Sequence, residues 1–158
     1  MTNKNLVPIL IADDDLDDRR MIEDAFRESR LLNELHFVQN GEELLAYLHR
    51  TGKFKEEKTS PLPGLILLDL NMPRKDGREA LKELKTDAEF RQIPVVVLTT
   101  SKAEEDVYRT YDLGVNSYIT KPVSFISLVQ VIRDLGRYWF EIVELPESRV
   151  NRATKSKS

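Results

Sequence analysis

The chain has 158 residues, 41% of them hydrophobic and 32% charged, a balance that suits one globular domain with a core of its own. Lys+Arg 24 against Asp+Glu 27 leaves a net charge of −3, which excludes polyanion binding by bulk charge, and Cys 0 excludes a disulfide scaffold, a thiolate metal centre and a cysteine nucleophile. The longest apolar runs, Leu65–Leu68 and Val95–Leu98, fall far short of the ~20 residues of a membrane span, and the opening MTNKNLVPILIADDD meets acids where a signal peptide would show a small-residue cleavage site. A soluble, cytoplasmic, single-domain protein without membrane or nucleic-acid partners is expected.

In chain order, apolar runs alternate with amphipathic stretches. Val7–Ala12 is followed by a helical stripe of Met21, Ile22, Ala25 and Phe26. Leu35–Val38 precedes Leu44, Leu45 and Leu48 behind Gly41, and Leu65–Leu68 precedes Ala80, Leu81 and Leu84 behind Gly77. Val95–Leu98 leads to Val107 and Tyr111 behind Glu104 and Glu105, and Ser117–Ile119 leads to the long stripe Phe125, Leu128, Val129, Ile132 and Leu135. Short runs rich in β-branched residues and bounded by Pro, Gly or Asp read as strands buried on both faces. The stripes read as amphipathic helices. The order βαβαβαβαβα predicts an α/β fold, an open, doubly wound, five-stranded parallel sheet with helices on both faces; five strands are too few for a barrel. Residues 50–63 (RTGKFKEEKTSPLP) read as an extended surface loop, and a basic tail over 147–158 as disordered.

Ligands of such sheets gather beyond the carboxyl ends of the strands. Asp13, Asp14 and Asp15 follow the first run, Asp69 with Leu70-Asn71-Met72-Pro73 the third, Thr99-Thr100-Ser101 the fourth and Thr120-Lys121-Pro122 the fifth. Carboxylates, a hydroxyl and an ammonium are thereby predicted to share one rim. Asp13, Asp14 and Asp69 crowded together repel unless a cation intervenes. An all-oxygen set without His or Cys selects a hard ion, Mg²⁺ or Mn²⁺. A carboxylate beside a metal, a lysine and a threonine suits acceptance of a phosphoryl group, whose transfer needs mainly positioning and charge neutralisation.

Each residue also has a plainer reading. Asp15, Asp17 and Asp18 suit a helix N-terminus, where acids favour the macrodipole, and Asp13 and Asp14 could be caps as well. Asp69 could end a strand, Thr99 could serve β-propensity and Lys121 could be a surface charge. It is the convergence of all of them that argues for a site. An EF-hand reading of Asp13, Asp15 and Asp17 fails, because position 6 is Asp18 where Gly is needed and position 12 is Asp24 where Glu is needed. His36 and His49 lack partners at ligand spacing.

The segments ILIADDD at 9–15, LLDLNMPRKDG at 67–77, VVVLTTS at 95–101 and SYITKP at 117–122 together resemble the receiver domain of two-component response regulators, the CheY-like family. The resemblance covers roughly residues 6–140; the spacings of 30 residues from Asp69 to Thr99 and 22 from Thr99 to Lys121 are those of a receiver. The resemblance implies the flavodoxin-like strand order 2-1-3-4-5. It implies that Asp69 is the phosphoacceptor, that Asp14 directly and Asp13 through water hold Mg²⁺ with Asp69 and the Asn71 backbone carbonyl, and that Lys121 contacts the phosphoryl group. Thr99 matches the switch hydroxyl and Tyr118 the aromatic that turns inward on activation, on the face made by the fourth helix, fifth strand and fifth helix. Pro122 matches a proline preceded by a cis peptide.

A receiver domain over 6–146 leaves only a short remainder, so a stand-alone regulator acting through protein contacts is expected. The long 50–63 loop and the apolar ending Tyr138-Trp139-Phe140-Glu141-Ile142-Val143-Glu144-Leu145-Pro146 are similar to the small regulators of phytochrome-type histidine kinases, which implies such a kinase as partner and a homodimer. That ending reads equally as core packing of the last helix. No turnover of a metabolite is expected. A haloacid dehalogenase-type phosphohydrolase would need a second Asp two residues after the nucleophile, where Asn71 stands, and a phosphorylation-independent adaptor would have lost one of the acidic, acceptor or lysine positions.

Overall fold

The computed structural model describes residues 7–142 except 57 and 59. Five parallel strands, β1 (Ile9–Ala12), β2 (Leu35–Val38), β3 (Leu65–Leu68), β4 (Val95–Thr99) and β5 (Ser117–Thr120), lie in the order 2-1-3-4-5. Each is followed by a helix: α1 (Leu16–Glu28), α2 (Gly41–His49), α3 (Gly77–Thr86), α4 (Glu104–Leu113) and α5 (Phe125–Gly136). The doubly wound sheet expected from the alternation is present, because a right-handed crossover can place successive helices on either face as the chain reverses direction along the sheet.

Strand periodicity divides the core in two. Leu10, Ala12, Ile66, Leu68, Val95 and Val97 point to the side covered by α2 and α3. Their neighbours Ile9, Ile11, Leu65, Leu67, Val96 and Leu98 point to the side covered by α1 and α5. Both parities are buried in β1, β3 and β4, so these strands show no polar alternation. Each such Val, Leu or Ile contributes about 1.5–3 kcal/mol by leaving water.

Three local expectations are corrected by packing. In α4 the apolar pair only partly faces the core: Val107 is half-buried and Tyr111 is 48% exposed, whereas Thr110 is buried. Thr110 fits there because its hydroxyl is satisfied within the helix by the Asp106 and Val107 carbonyls. Residues 50–63 are not simply extended. A 3-10 turn at Gly52–Phe54 lays Phe54 against Tyr47 at 5.3 Å between ring centres, and the Tyr47 hydroxyl donates to the Pro61 carbonyl at 2.7 Å. The buried tyrosine needs an acceptor for its hydroxyl, and the loop supplies it. The cis peptide implied before Pro122 is not found, since the described residues hold no cis peptide bond; a trans bond is the lower-energy form even before proline.

Beyond α5 a π-helical stretch, Arg137–Ile142, continues the axis. It turns Trp139 and Phe140 into the α1/α5 core and leaves Tyr138 outside. Within the apolar ending, Trp139 and Phe140 are therefore core packing; the side chains of 141 and 142, residues 143–146 and the basic 147–158 tail lie outside the described residues. Among the described residues no helix is long and apolar enough to cross a membrane.

Candidate functional site

The residues directly after β1, β3 and β5 extend the ladder by one backbone bond each, and they carry the chemistry together with Thr99, the last residue of β4. Asp13 N–H donates to the Val38 carbonyl, Asp69 N–H to Ala12 and Lys121 N–H to Thr99, at 3.0, 3.0 and 2.8 Å. Asp13 continues the parity of Ile9 and Ile11, and Asp69 that of Leu65 and Leu67. With Ala12 paired to Leu68, the two acids emerge side by side on one face. Backbone pairing thus sets the rim before any side chain interacts.

On that rim Asp13 and Asp69 are buried and Asp14 is exposed, and an oxygen of each lies within 4.8 Å of the others. Lys121 answers the crowding. Its Nζ donates to Asp13 Oδ2 at 2.8 Å, Asp18 Oδ2 at 2.7 Å and Asp69 Oδ2 at 3.1 Å. Asp69 Oδ1 accepts from the Thr99 hydroxyl at 2.7 Å and from the Asn71 N–H at 3.2 Å. Both oxygens of Asp69 are therefore oriented.

The electrostatics is a contest between burial and pairing. Burial pushes the Asp13 carboxyl up to about 6, despite the Lys121 ammonium and the Asp15 N–H, which favour the ionised form. Burial also works against the Lys121 ammonium, but its hydrogen bonds to Asp13 and Asp18 prevail and hold it above the usual lysine range. One cation thus faces several acids in a site that still favours protonation of Asp13, a donor set that fits a hard divalent ion.

Local structure holds these groups in place. Asp15 caps α1, its carboxylate accepting from the Asp17 and Asp18 N–H groups; this is the helix-terminal role expected for it. Asp18, expected mainly to favour the dipole at the helix N-terminus, in addition reaches Lys121. The start of α3 lies against the backbone of β3's end: Gly77 N–H donates to the Leu70 carbonyl at 2.9 Å, and a Cβ at Gly77 would overlap the backbone of Asp69 and Leu70.

A second polar cluster adjoins the rim and was not foreseen. Arg78 grips Asp106, Ser101 donates to the same carboxylate, and the Tyr118 hydroxyl donates to the Ser101 carbonyl at 2.9 Å. Nothing in the sequence pairs Arg78 with Asp106, 28 residues apart. The available signal was only that both sit in the first turns of helices leaving adjacent strands. The structure brings Asp13, Asp14, Asp69, Thr99 and Lys121 together, sets Asn71 at the mouth, and stands Tyr118 at the end of this second cluster.

Comparison with known proteins fits this geometry. The response regulator receiver domain model matches residues 9–133. Response regulator Rcp1 of Synechocystis sp. is 41% identical over 138 residues, 87% of this chain and 92% of that protein. The solved structure of the phosphorylated cyanobacterial phytochrome response regulator RcpA superposes with a TM-score of 0.83 at 40% identity, covering 90% of this chain and 99% of that one. The Mn²⁺-bound form of Rcp1 gives 0.81 at 40% identity, covering 89% and 99%.

Proposed function

The chain belongs to the response regulator receiver domain family of two-component signalling systems, and we propose that it is a stand-alone phosphorylation switch whose acceptor is Asp69. The observation that carries this reading is the single rim on which Asp13, Asp14 and Asp69 meet Lys121 and Thr99. An Asp69 oxygen attacks the phosphorus of a phosphohistidine on a sensor kinase. The P–N bond breaks, the imidazole leaves with its electron pair and takes a proton, and an acyl phosphate forms. Water later attacks that phosphorus, releasing inorganic phosphate and the free carboxylate.

The chain's own residues orient and neutralise. Lys121 holds one oxygen of Asp69 now and faces a phosphoryl oxygen after transfer. The Thr99 hydroxyl, already aimed at Asp69, follows the added charge inward, and Tyr118 responds on the face formed by α4, β5 and α5. Asp13, Asp14, Asp69 and the Asn71 carbonyl would hold Mg²⁺, with Mn²⁺ a substitute, and the ion would supply neutralisation of the charge that builds on the transferred oxygens. The likeness to a phytochrome response regulator supports a phytochrome-type histidine kinase as the donor; the donor is taken to be cytoplasmic, the downstream target to be an unidentified protein and the signalling form to be a homodimer. Exposed Phe125, Ile126 and Tyr138 offer apolar surface for such an assembly.

Intact mass spectrometry and size-exclusion light scattering, with Mg²⁺ and acetyl phosphate, test the reading. An adduct of one phosphoryl group is expected on the wild type and none on Asp69→Asn, with a dimer in the phosphorylated sample. An unmodified wild type would overturn the acceptor role.

A further inference from the structure

The Arg78–Asp106 pair lies beside the rim, and none of the phosphoryl-transfer steps uses it. Arg78 stands in the first turn of α3 and Asp106 in the first turn of α4. The guanidinium forks onto the carboxylate, Nε to Oδ1 and Nη2 to Oδ2, each at 2.6 Å. Its other contacts point back to the acceptor's loop. Nη1 donates to the Leu70 carbonyl and Nη2 to Asn71 Oδ1, both at 3.4 Å, and Asp76 Oδ2 lies 3.6 Å away.

From Asp106 the connections run toward Tyr118. Asp106 Oδ2 also accepts from the Ser101 hydroxyl at 2.6 Å. The Ser101 carbonyl accepts from the Tyr118 hydroxyl at 2.9 Å. The Tyr118 N–H, in turn, donates to the Tyr111 hydroxyl of α4 at 3.1 Å. A continuous line of hydrogen bonds thus leads from Asn71, two residues after Asp69, through Arg78, Asp106 and Ser101 to Tyr118. The Arg78 guanidinium holds the Asp106 carboxyl down to about 2, so the fork stays charged throughout the neutral range.

We propose that the Arg78–Asp106 fork is the positioning element that couples the state of Asp69 to Tyr118, by tying the loop after β3 to the first turn of α4 and the Ser101 carbonyl. The proposal rests on the reading of Asp69 as phosphoacceptor. A bidentate pair resists both sliding and rotation, whereas a single hydroxyl contact resists neither. A shift of the acceptor's loop on phosphorylation therefore carries the α4 terminus with it. Lysine, a point charge without the planar fork, does not substitute. Arg78 touches the Asn71 side chain and no atom of Asp69, so its loss leaves phosphoryl acceptance intact.

The test labels the protein with 3-fluorotyrosine, assigns the Tyr118 signal with Tyr118→Phe, and records ¹⁹F spectra with Mg²⁺ before and after acetyl phosphate. Intact mass reads the adduct in the same samples. Wild type, Arg78→Met, Arg78→Lys and Asp106→Asn are expected to carry equal adduct. The phosphorylation-induced shift of Tyr118 is expected to fall at least threefold in all three variants. The double variant Arg78→Met/Asp106→Asn is expected to lose no more than either single one, because both act through one contact. A wild-type shift in phosphorylated Arg78→Met, or a Tyr118 signal in phosphorylated wild type that does not move, would overturn the coupling alone. A wild type that takes no phosphoryl group would overturn the acceptor reading and the coupling with it. Asp106→Asn keeps a side-chain oxygen for Ser101, so it reports on the fork even where Arg78→Met is poorly folded.

Discussion

The Thr99 hydroxyl donates to Asp69 Oδ1 across 2.7 Å in a wholly buried contact between the ends of β4 and β3. The bond holds one acceptor oxygen in place and gives the hydroxyl a path toward any group added there. Thr99→Val keeps the shape and removes the donor. It is expected to cost about 1.5–3 kcal/mol in urea unfolding, the range for a hydrogen bond to a charged group. Phosphorylation by acetyl phosphate should persist while the ¹⁹F response of Tyr118 is lost; Thr99→Ser should keep both.

Burial raises the Asp13 carboxyl from the ordinary 3.8 to about 6, so the native state holds this proton more tightly than the unfolded chain does. That stabilisation is complete below pH 3.8 and is lost as pH rises through 6. Asp13→Asn is therefore expected to gain stability over the metal-free wild type above pH 6. Mg²⁺ affinity of the wild type should fall up to tenfold per pH unit below 6, as the ion must displace the Asp13 proton. Thermal unfolding across pH 4–8, with and without Mg²⁺, checks both.

Lys121 bridges Asp13, Asp18 and Asp69. Removing one partner of a buried ionic group leaves charges without compensation and costs about 3–5 kcal/mol. Lys121→Met should approach that loss at pH 8 without metal and recover part of it toward pH 5, where Asp13 takes up its proton. Chemical denaturation at the two pH values measures the difference, and the rate of adduct formation should fall at least tenfold.

Gly77 puts two effects in opposition. Alanine inside a helix is favoured over glycine by ~1 kcal/mol, but at this position a Cβ would overlap the backbone of Asp69 and Leu70. Forcing extra volume into packed structure costs about 1–3 kcal/mol, so the steric effect prevails. Gly77→Ala is expected to be destabilised and to slow phosphorylation, since the strain falls on the acceptor's own peptide. Urea titration and adduct kinetics report the two consequences.

The strands were legible because both faces of β1, β3 and β4 are buried and the chain marks them with unbroken apolar runs between Pro, Gly and Asp. The helices were legible wherever one face meets the sheet, as with Ala80, Leu81 and Leu84. The pattern misled at α4, whose tyrosines lie outward, because periodicity reports which residues are apolar and cannot say which side the helix presents. It also could not show that Tyr47 would anchor the 50–63 loop through Pro61.

What the amino-acid order determined by itself is local: five strands, five helices, and acids, a hydroxyl and an ammonium at strand ends that parallel pairing must bring to one edge. The tertiary structure decided which side chains meet. Asp18 reaches Lys121 because the first turn of α1 and the residue after β5 both lie on the rim and the long lysine side chain spans between them, and Arg78 reaches Asp106 because α3 and α4 pack against each other, their first turns following adjacent strands. Such contacts depend on side-chain direction across elements far apart in sequence, and only the closed packing of the sheet and its helices sets that direction.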